Sequence, residues 1–223
     1  MFYGYKYCLL RILYGLFILL VLSHCKHEQA LGSLQSIIYS PDVEVTFIPH
    51  PKNIGEKLSN AALTIINPEV VYISDYQTID FPGGDVPSHT GVCTDVVIRA
   101  FRKIQIDLQK QVHEDMKQNF QQYPKRWGLS KTDPNIDHRR VPNLEVFFAR
   151  KGLEQKITAV AEDYKPGDIV TWLIGGKMPH IGIVTHLKSD AGTPLVVHNA
   201  GWGQVLEDWL FLHPMVGHYR YRQ

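Results

Sequence analysis

The chain has 223 residues, of which 44% are hydrophobic and 20% are charged. This size and composition fit one globular domain with a buried core. The formal net charge is only +1 and no long run of like charges occurs, so we expect no nucleic-acid partner.

The first 25 residues have the pattern of an export signal. Two basic residues precede an uncharged apolar run over residues 12–22, which is short for a bilayer span. Cleavage, lipidation at Cys25 and retention as an anchor remain alternatives, because His24 stands where a lipoprotein signal has a small residue. In each case we expect an exported protein of the periplasm or envelope that meets the membrane only through this segment.

The rest of the chain is expected to form a tether and entry segment over residues 26–50 and a single domain over residues 51–223. Apolar spacing and Pro or Gly breaks predict helices at 54–66, 93–120 and 144–151, and strands at 70–73, 157–160, 169–173, 180–186, 195–198 and 217–221. Helices followed by antiparallel strands indicate an α+β domain, in which the helix that carries Cys93 packs on the sheet.

Cys93 begins the longest predicted helix, directly after Gly91 and Val92. Free N–H groups and the positive end of the helix dipole favour a thiolate there, so we expect a lowered pKa for Cys93. The other cysteines, Cys8 and Cys25, belong to the export segment, so the domain has no partner for a disulfide. A small buried apolar residue is the alternative interpretation of Cys93.

Two histidines can supply the remaining parts of a thiol-based site. His180 opens one predicted strand and His198 ends the next, so a hairpin would bring them side by side. The pattern predicts Cys93 as nucleophile, His180 as base and His198 as the group that orients the base. His186, on the same strand as His180, is an alternative base. Zinc held by these residues is a further alternative, but no close pair has metal spacing, and we expect no metal and no cofactor.

Three segments resemble the C-terminal half of the NlpC/P60 superfamily of cysteine peptidases. They are KPGDIVTW at 165–172, HIGIV at 180–184 and VHNA at 197–200. A more extensive resemblance, over about residues 76–219, links the chain to a bacterial family known only as a domain of unknown function. It is carried by FPGGDVP at 81–87, GVCTDVVIR at 91–99, IDHRRVPNL at 136–144 and PHIG at 179–182.

The NlpC/P60 resemblance implies a papain-like fold and the same roles for Cys93, His180 and His198. It also implies a tyrosine near the nucleophile, for which Tyr76 is the first choice and Tyr72 the competitor.

The expected function is cleavage of an amide bond, most naturally in the peptide of peptidoglycan, and the alternative is a non-catalytic envelope-binding module on the same fold. Arg139 and Arg140 are either solvated surface or a fork for the carboxylates of a stem peptide. Trp202 is expected to form part of the wall of the cleft.

Overall fold

A computed structural model describes residues 43–222 of the chain. The predicted export segment and most of the predicted tether lie outside this range. Residues 43–50 contain no helix or strand. None of the helices within residues 43–222 has the length and apolar character needed to cross a membrane.

Four α-helices occupy the first part of the domain, and each begins where local chemistry favours it. They are α1 (Ile54–Leu63), α2 (Cys93–Lys103), α3 (Leu108–Asn119) and α4 (Val141–Arg150). Asn53 caps α1 by accepting a hydrogen bond from the Glu56 N–H, and Asp107 caps α3 in the same way. Pro142 lies in the first turn of α4, where a missing N–H costs nothing.

The single long helix predicted over residues 93–120 is wrong, because the chain breaks between α2 and α3. Gln105 has a φ of 65°, a left-handed conformation that ends an α-helix. The apolar spacing continues across the break because the buried sides of both helices face the same hydrophobic core. The periodicity therefore predicted the buried face of this segment correctly but did not reveal the turn between α2 and α3.

The second part of the domain is a five-stranded antiparallel sheet in the order β6-β5-β4-β3-β7. Its strands are β3 (Ile169–Ile174), β4 (Met178–Lys188), β5 (Pro194–His198), β6 (Val205–Glu207) and β7 (Met215–Tyr219). A separate pair of short parallel strands, β1 (Val71–Tyr72) and β2 (Thr90–Gly91), precedes α2. The α+β class predicted from the sequence is confirmed.

Two details of the strand prediction need correction. No strand forms over residues 157–160, and the chain just before them meets β7 through an isolated bridge between Glu154 and Tyr219. Conversely, β6 pairs with β5 at the far edge of the sheet, although its three residues lack any alternating pattern. This short edge strand carries Glu207, which becomes important at the site.

The core lies between α2 and the sheet. Val96, Val97 and Phe101 of α2 are fully buried, and so are Ile181 and Ile183 of β4. Full burial of a side chain of this size stabilises the fold by about 1.5–3 kcal/mol. This packing holds the start of α2 against the start of β4, so Cys93 and His180 lie in the same region of the domain.

Candidate active site

Cys93 is the first residue of α2, and only 5% of its surface is exposed. The polar neighbours of its sulfur are the Tyr72 hydroxyl and the backbone N–H groups of Ile181 and Thr94. Ile181 directly follows His180 in β4, which places the sulfur at the start of that strand. As the first residues of the helix, Cys93 and Thr94 have N–H groups with no acceptor in the preceding turn.

The expectation of a lowered Cys93 pKa is wrong for the resting protein. Burial raises the pKa of this thiol to about 11, and the nearby Asp95 carboxylate adds to the rise. The Tyr72 hydroxyl and the two N–H groups favour the thiolate but do not outweigh burial. The sequence indicated the helix start correctly but not the burial of the thiol.

His180 and His198 lie side by side, as the predicted hairpin required. His180 Nε2 is 3.0 Å from His198 Nδ1, and the two rings meet edge to face. Because Nε2 of His180 is directed at His198, Nδ1 is the ring nitrogen of His180 that this contact leaves open. Burial lowers the His180 pKa well below its ordinary value, and burial lowers the His198 pKa to about 3. Both rings are therefore neutral at physiological pH.

The row of polar groups continues beyond His198 to Glu207 of β6. His198 Nε2 and Glu207 Oε2 are 2.9 Å apart, although their groups are not aligned as a regular hydrogen bond. Trp202 Nε1 donates a 3.0 Å hydrogen bond to the other carboxyl oxygen, Oε1. The Trp209 ring covers His198 with ring centroids 4.3 Å apart. Burial raises the pKa of Glu207 to about 7.

Arg139 is a buried partner of the helix that carries Cys93. Its Nε and Nη2 atoms donate to the two oxygens of Asp95 at 2.9 and 3.0 Å, and Thr94 Oγ1 donates to its carbonyl. Asp95 also accepts the Val92 N–H at 2.7 Å. The Arg139 fork is therefore occupied inside the protein and fixes the start of α2, which corrects the expectation that it forks onto a substrate.

A small cavity of about 200 Å³ adjoins Cys93. Its lining includes Tyr72, Cys93, Trp127, Arg139, Arg140 and Pro179. The Arg140 guanidinium lies 4.1 Å from the centre of the Trp127 ring and 3.7 Å from an oxygen of Asp137. Arg140 thus presents a positive charge at the cavity without a close bidentate partner.

Tyr76 and Trp202 lie elsewhere than predicted. The Tyr76 hydroxyl donates to Asp133 and accepts from Asn135, and 56% of the residue is exposed. The tyrosine beside the thiol is Tyr72, so Tyr76 does not fill that role. Trp202 does not line the cavity at Cys93 and instead contacts Glu207.

His186 is held away from the histidine pair by other contacts. Its Nδ1 lies 2.9 Å from the Ser59 hydroxyl of α1, and its Nε2 lies 3.1 Å from the Thr46 carbonyl. Both ring nitrogens therefore have partners outside the site. The structure pairs His180 with His198 and places the Cys93 sulfur against the backbone of Ile181, the residue after His180. It adds Tyr72, which the sequence analysis had ranked second, and Glu207, which it had overlooked.

This combination defines an α+β domain in which a thiol at a helix start contacts the Ile181 N–H of the strand that carries His180, and His180 is paired with His198 on the next strand. The model of the family described as "Domain of unknown function (DUF1287)" matches residues 59–221, and the chain belongs to that family. It is 47% identical over 182 residues to the uncharacterized protein YijF of Escherichia coli K12, covering 82% of this chain and 89% of that protein.

Two solved structures are similar at a much lower level. NlpC1 from Trichomonas vaginalis is 16% identical with a TM-score of 0.42, over 78% of this chain and 46% of that one. The chain thus spans less than half the length of the Trichomonas protein. An N-acetylmuramoyl-L-alanine amidase from Bacteroides uniformis is 13% identical with a TM-score of 0.45, over 76% of this chain and 99% of that one.

Proposed function

We propose that the protein is an exported cysteine hydrolase that cleaves an amide bond in the peptide part of peptidoglycan. The observation that carries this proposal is a thiol at a helix start that borders a cavity and contacts the Ile181 N–H, one residue after the His180 that is hydrogen-bonded to His198. A nucleophile, a base and an orienting group are the parts of nucleophilic amide hydrolysis, and here the proposed base and orienting group are in contact. A buried structural cysteine would need neither the histidine pair nor the cavity.

In the proposed reaction, the Cys93 thiol gives its proton to His180 Nδ1 as the sulfur attacks the substrate carbonyl. The resting pair is neutral, because burial raises the pKa of Cys93 and lowers that of His180. The ion pair therefore forms during attack, when the developing charges stabilise each other. In this proposal the N–H groups at the start of α2 stabilise the oxyanion.

The second half of the reaction returns the proton. His180 protonates the leaving amine, which breaks the C–N bond and leaves an acyl thioester on Cys93. Water, deprotonated by His180, then hydrolyses the thioester and restores the thiol. His198 keeps the His180 ring in one orientation throughout, because it holds Nε2.

Arg140 is proposed to bind a carboxylate of the stem peptide. It lines the cavity at Cys93, and its contact with Trp127 fixes the plane of the guanidinium. Arg139 has a supporting role in this proposal, because its ion pair with Asp95 fixes the start of the helix that carries Cys93. Free carboxylates on a peptidoglycan stem peptide would suit such a guanidinium, which makes that polymer a fitting substrate class.

The test compares wild type with Cys93→Ala on purified peptidoglycan and on isolated stem peptides, with release of new amino termini as the measurement. Wild type should release them and Cys93→Ala should not. His186→Ala is the matched control, because His186 shares β4 with His180 but bonds to Ser59 and Thr46. Binding without cleavage by wild type would favour the alternative, a non-catalytic envelope-binding module.

Export is a separate proposal that rests on the sequence of the first 25 residues. Cell fractionation of the full chain and of a variant lacking these residues tests it. The full chain should appear in the envelope or periplasm and the shortened variant in the cytoplasm. Equal distribution of the two would overturn this proposal and leave the chemistry at Cys93 unaffected.

A further inference from the structure

Glu207 and His198 approach closely enough for one proton to be shared across their contact, although the contact is bent away from regular hydrogen-bond geometry. His198 Nε2 and Glu207 Oε2 are 2.9 Å apart, and two facing lone pairs at this distance would repel. The same argument applies to His180 Nε2 and His198 Nδ1 at 3.0 Å. A neutral imidazole carries one N–H, so the position of one proton determines the position of the next.

We propose that the Glu207 carboxylate is a positioning residue that selects the N–H tautomers of His198 and His180. An ionised Glu207 only accepts, so His198 places its proton on Nε2. His198 Nδ1 is then an acceptor, and His180 must place its own proton on Nε2. This leaves a lone pair on His180 Nδ1, the nitrogen that the reaction needs. The inference rests on the function proposed above and adds a residue to its site.

The opposite tautomers follow if the group at position 207 donates. A donor facing His198 Nε2 places the His198 proton on Nδ1, which donates to His180 Nε2 and leaves the His180 proton on Nδ1. His180 then has no lone pair for the thiol. The same atoms would remain in place, with the same packing, and only the tautomers would differ.

The surroundings of Glu207 suit this role. Within residues 43–222, no Lys or Arg side chain lies within ion-pair distance of it, so His198 is its closest ionisable partner. Trp202 Nε1 donates to Oε1 and thereby keeps Oε2 directed at His198. His213, which contacts the Trp209 ring that covers His198, is the other titratable group facing this cluster. Asp208 is the adjacent carboxylate in the chain.

Glu207→Gln provides a sharp test because Trp202 orients the new amide. The Trp202 N–H holds the amide oxygen, so the amide NH₂ faces His198 Nε2 and donates to it. In ¹⁵N-histidine NMR of the full-length protein at about pH 9, where the carboxyl group is ionised, wild type should show His180 and His198 protonated at Nε2. Glu207→Gln should show both protonated at Nδ1.

Two further variants control the experiment. Trp202→Phe combined with Glu207→Gln frees the amide to turn, so part of the wild-type tautomer should return. Glu145→Gln removes another carboxyl group whose pKa burial raises, away from the histidines, and should leave both tautomers unchanged. Identical tautomers in wild type and Glu207→Gln would overturn the inference, as would a wild type that already has Nδ1–H at either ring.

Activity supplies a second readout. Glu207→Gln should lower kcat about 10- to 100-fold, with KM within about twofold, because binding groups are untouched. A tautomer change without any hydrolysis by wild type would retain this inference and defeat the proposed function. Hydrolysis by wild type with unchanged tautomers in Glu207→Gln would do the reverse.

Discussion

The domain contains two buried contacts between a histidine and a carboxylate, and they differ in charge compensation. His198 meets Glu207 at 2.9 Å with no Arg or Lys nearby among the described residues. His218 meets Asp168 at 2.7 Å, but Asp168 also accepts two hydrogen bonds from Arg220 and one from the Lys165 N–H. The charge of the first carboxylate is therefore compensated by no basic side chain in the described part of the chain, whereas that of the second is compensated by an arginine.

The difference suits the two carboxylates of this sheet to different roles, one in holding the fold together and one in the proposed site. Asp168 begins the β3 region and ties it to β7 through His218 and to the C-terminal segment through Arg220. The Glu207 carboxyl group, by contrast, contacts the nearby side chains of His198 and Trp202. A buried carboxylate with full compensation stabilises the fold, while one without it is suited to control protons.

The largest expected effect is the loss of turnover in His180→Ala. Removing the proposed base should lower kcat about 10²- to 10⁴-fold, and His198→Ala should lower it less, because an orienting group does not itself transfer the proton. Steady-state kinetics on a stem peptide measure both, with circular dichroism to verify folding. Full activity in His198→Ala with loss in His186→Ala would show that the histidine assignment is wrong.

Asp168→Asn should damage stability without touching the site. It leaves the Arg220 guanidinium and the His218 ring without their carboxylate, and we expect a loss of about 2–4 kcal/mol in the free energy of unfolding. Urea denaturation measures this loss. Where the variant is still folded, kcat should remain near that of wild type. A variant as stable as wild type would contradict the architectural role of this contact.

Glu207→Gln, unlike Asp168→Asn, should gain stability relative to wild type, and the gain should appear as the pH rises. The Glu207 pKa is about 7 in the folded protein against an ordinary value of 4.5, so its stabilising contribution is complete below pH 4.5 and is lost as the pH rises through 7. Relative to wild type, the Tm of Glu207→Gln should therefore rise by about a few degrees between acid and alkaline pH.

Thermal melts of both proteins across this range provide the measurement. A constant difference in Tm at all pH values would mean that Glu207 does not titrate between the folded and unfolded states. Asp168→Asn serves as the comparison, because it should be less stable than wild type on both sides of neutrality.

The smallest expected effect is at Arg140. Arg140→Lys keeps the charge but loses the planar fork, so KM for a stem peptide with a free carboxylate should rise about 3- to 10-fold. The matched peptide with that carboxylate amidated should bind wild type and variant alike. If the variant distinguishes the two peptides as well as wild type does, Arg140 does not recognise the carboxylate.

The sequence predicted the parts of the site whose signals are local. Cys93 follows Gly91 and Val92 at the start of a helical apolar pattern, and His180 and His198 stand near the ends of neighbouring strands, so the proximity of the two histidines followed from the hairpin. The break at Gln105 has no glycine or proline to mark it. The pairing of Asp95 with Arg139 joins positions 44 residues apart, and no local pattern reveals such a contact.

Glu207 was missed for a related reason. It follows the apolar residues Val205 and Leu206 and precedes Asp208, so the sequence carried only a weak signal of a buried acid. Its partner became evident only when β6 was paired with β5, which sets His198 opposite Val205 and near Glu207. The raised pKa of Cys93 also depends on burial by the whole domain, which a helix-start argument does not include.

The most direct test of the central claim is to look for the acyl group on Cys93 itself. Wild type turning over a stem peptide would be quenched in acid, digested and analysed by mass spectrometry. We expect the Cys93 peptide to carry the mass of the acyl half of the substrate, and we expect neither adduct nor turnover in Cys93→Ala. Undiminished turnover by Cys93→Ala, or an acyl adduct on another residue, would contradict the account.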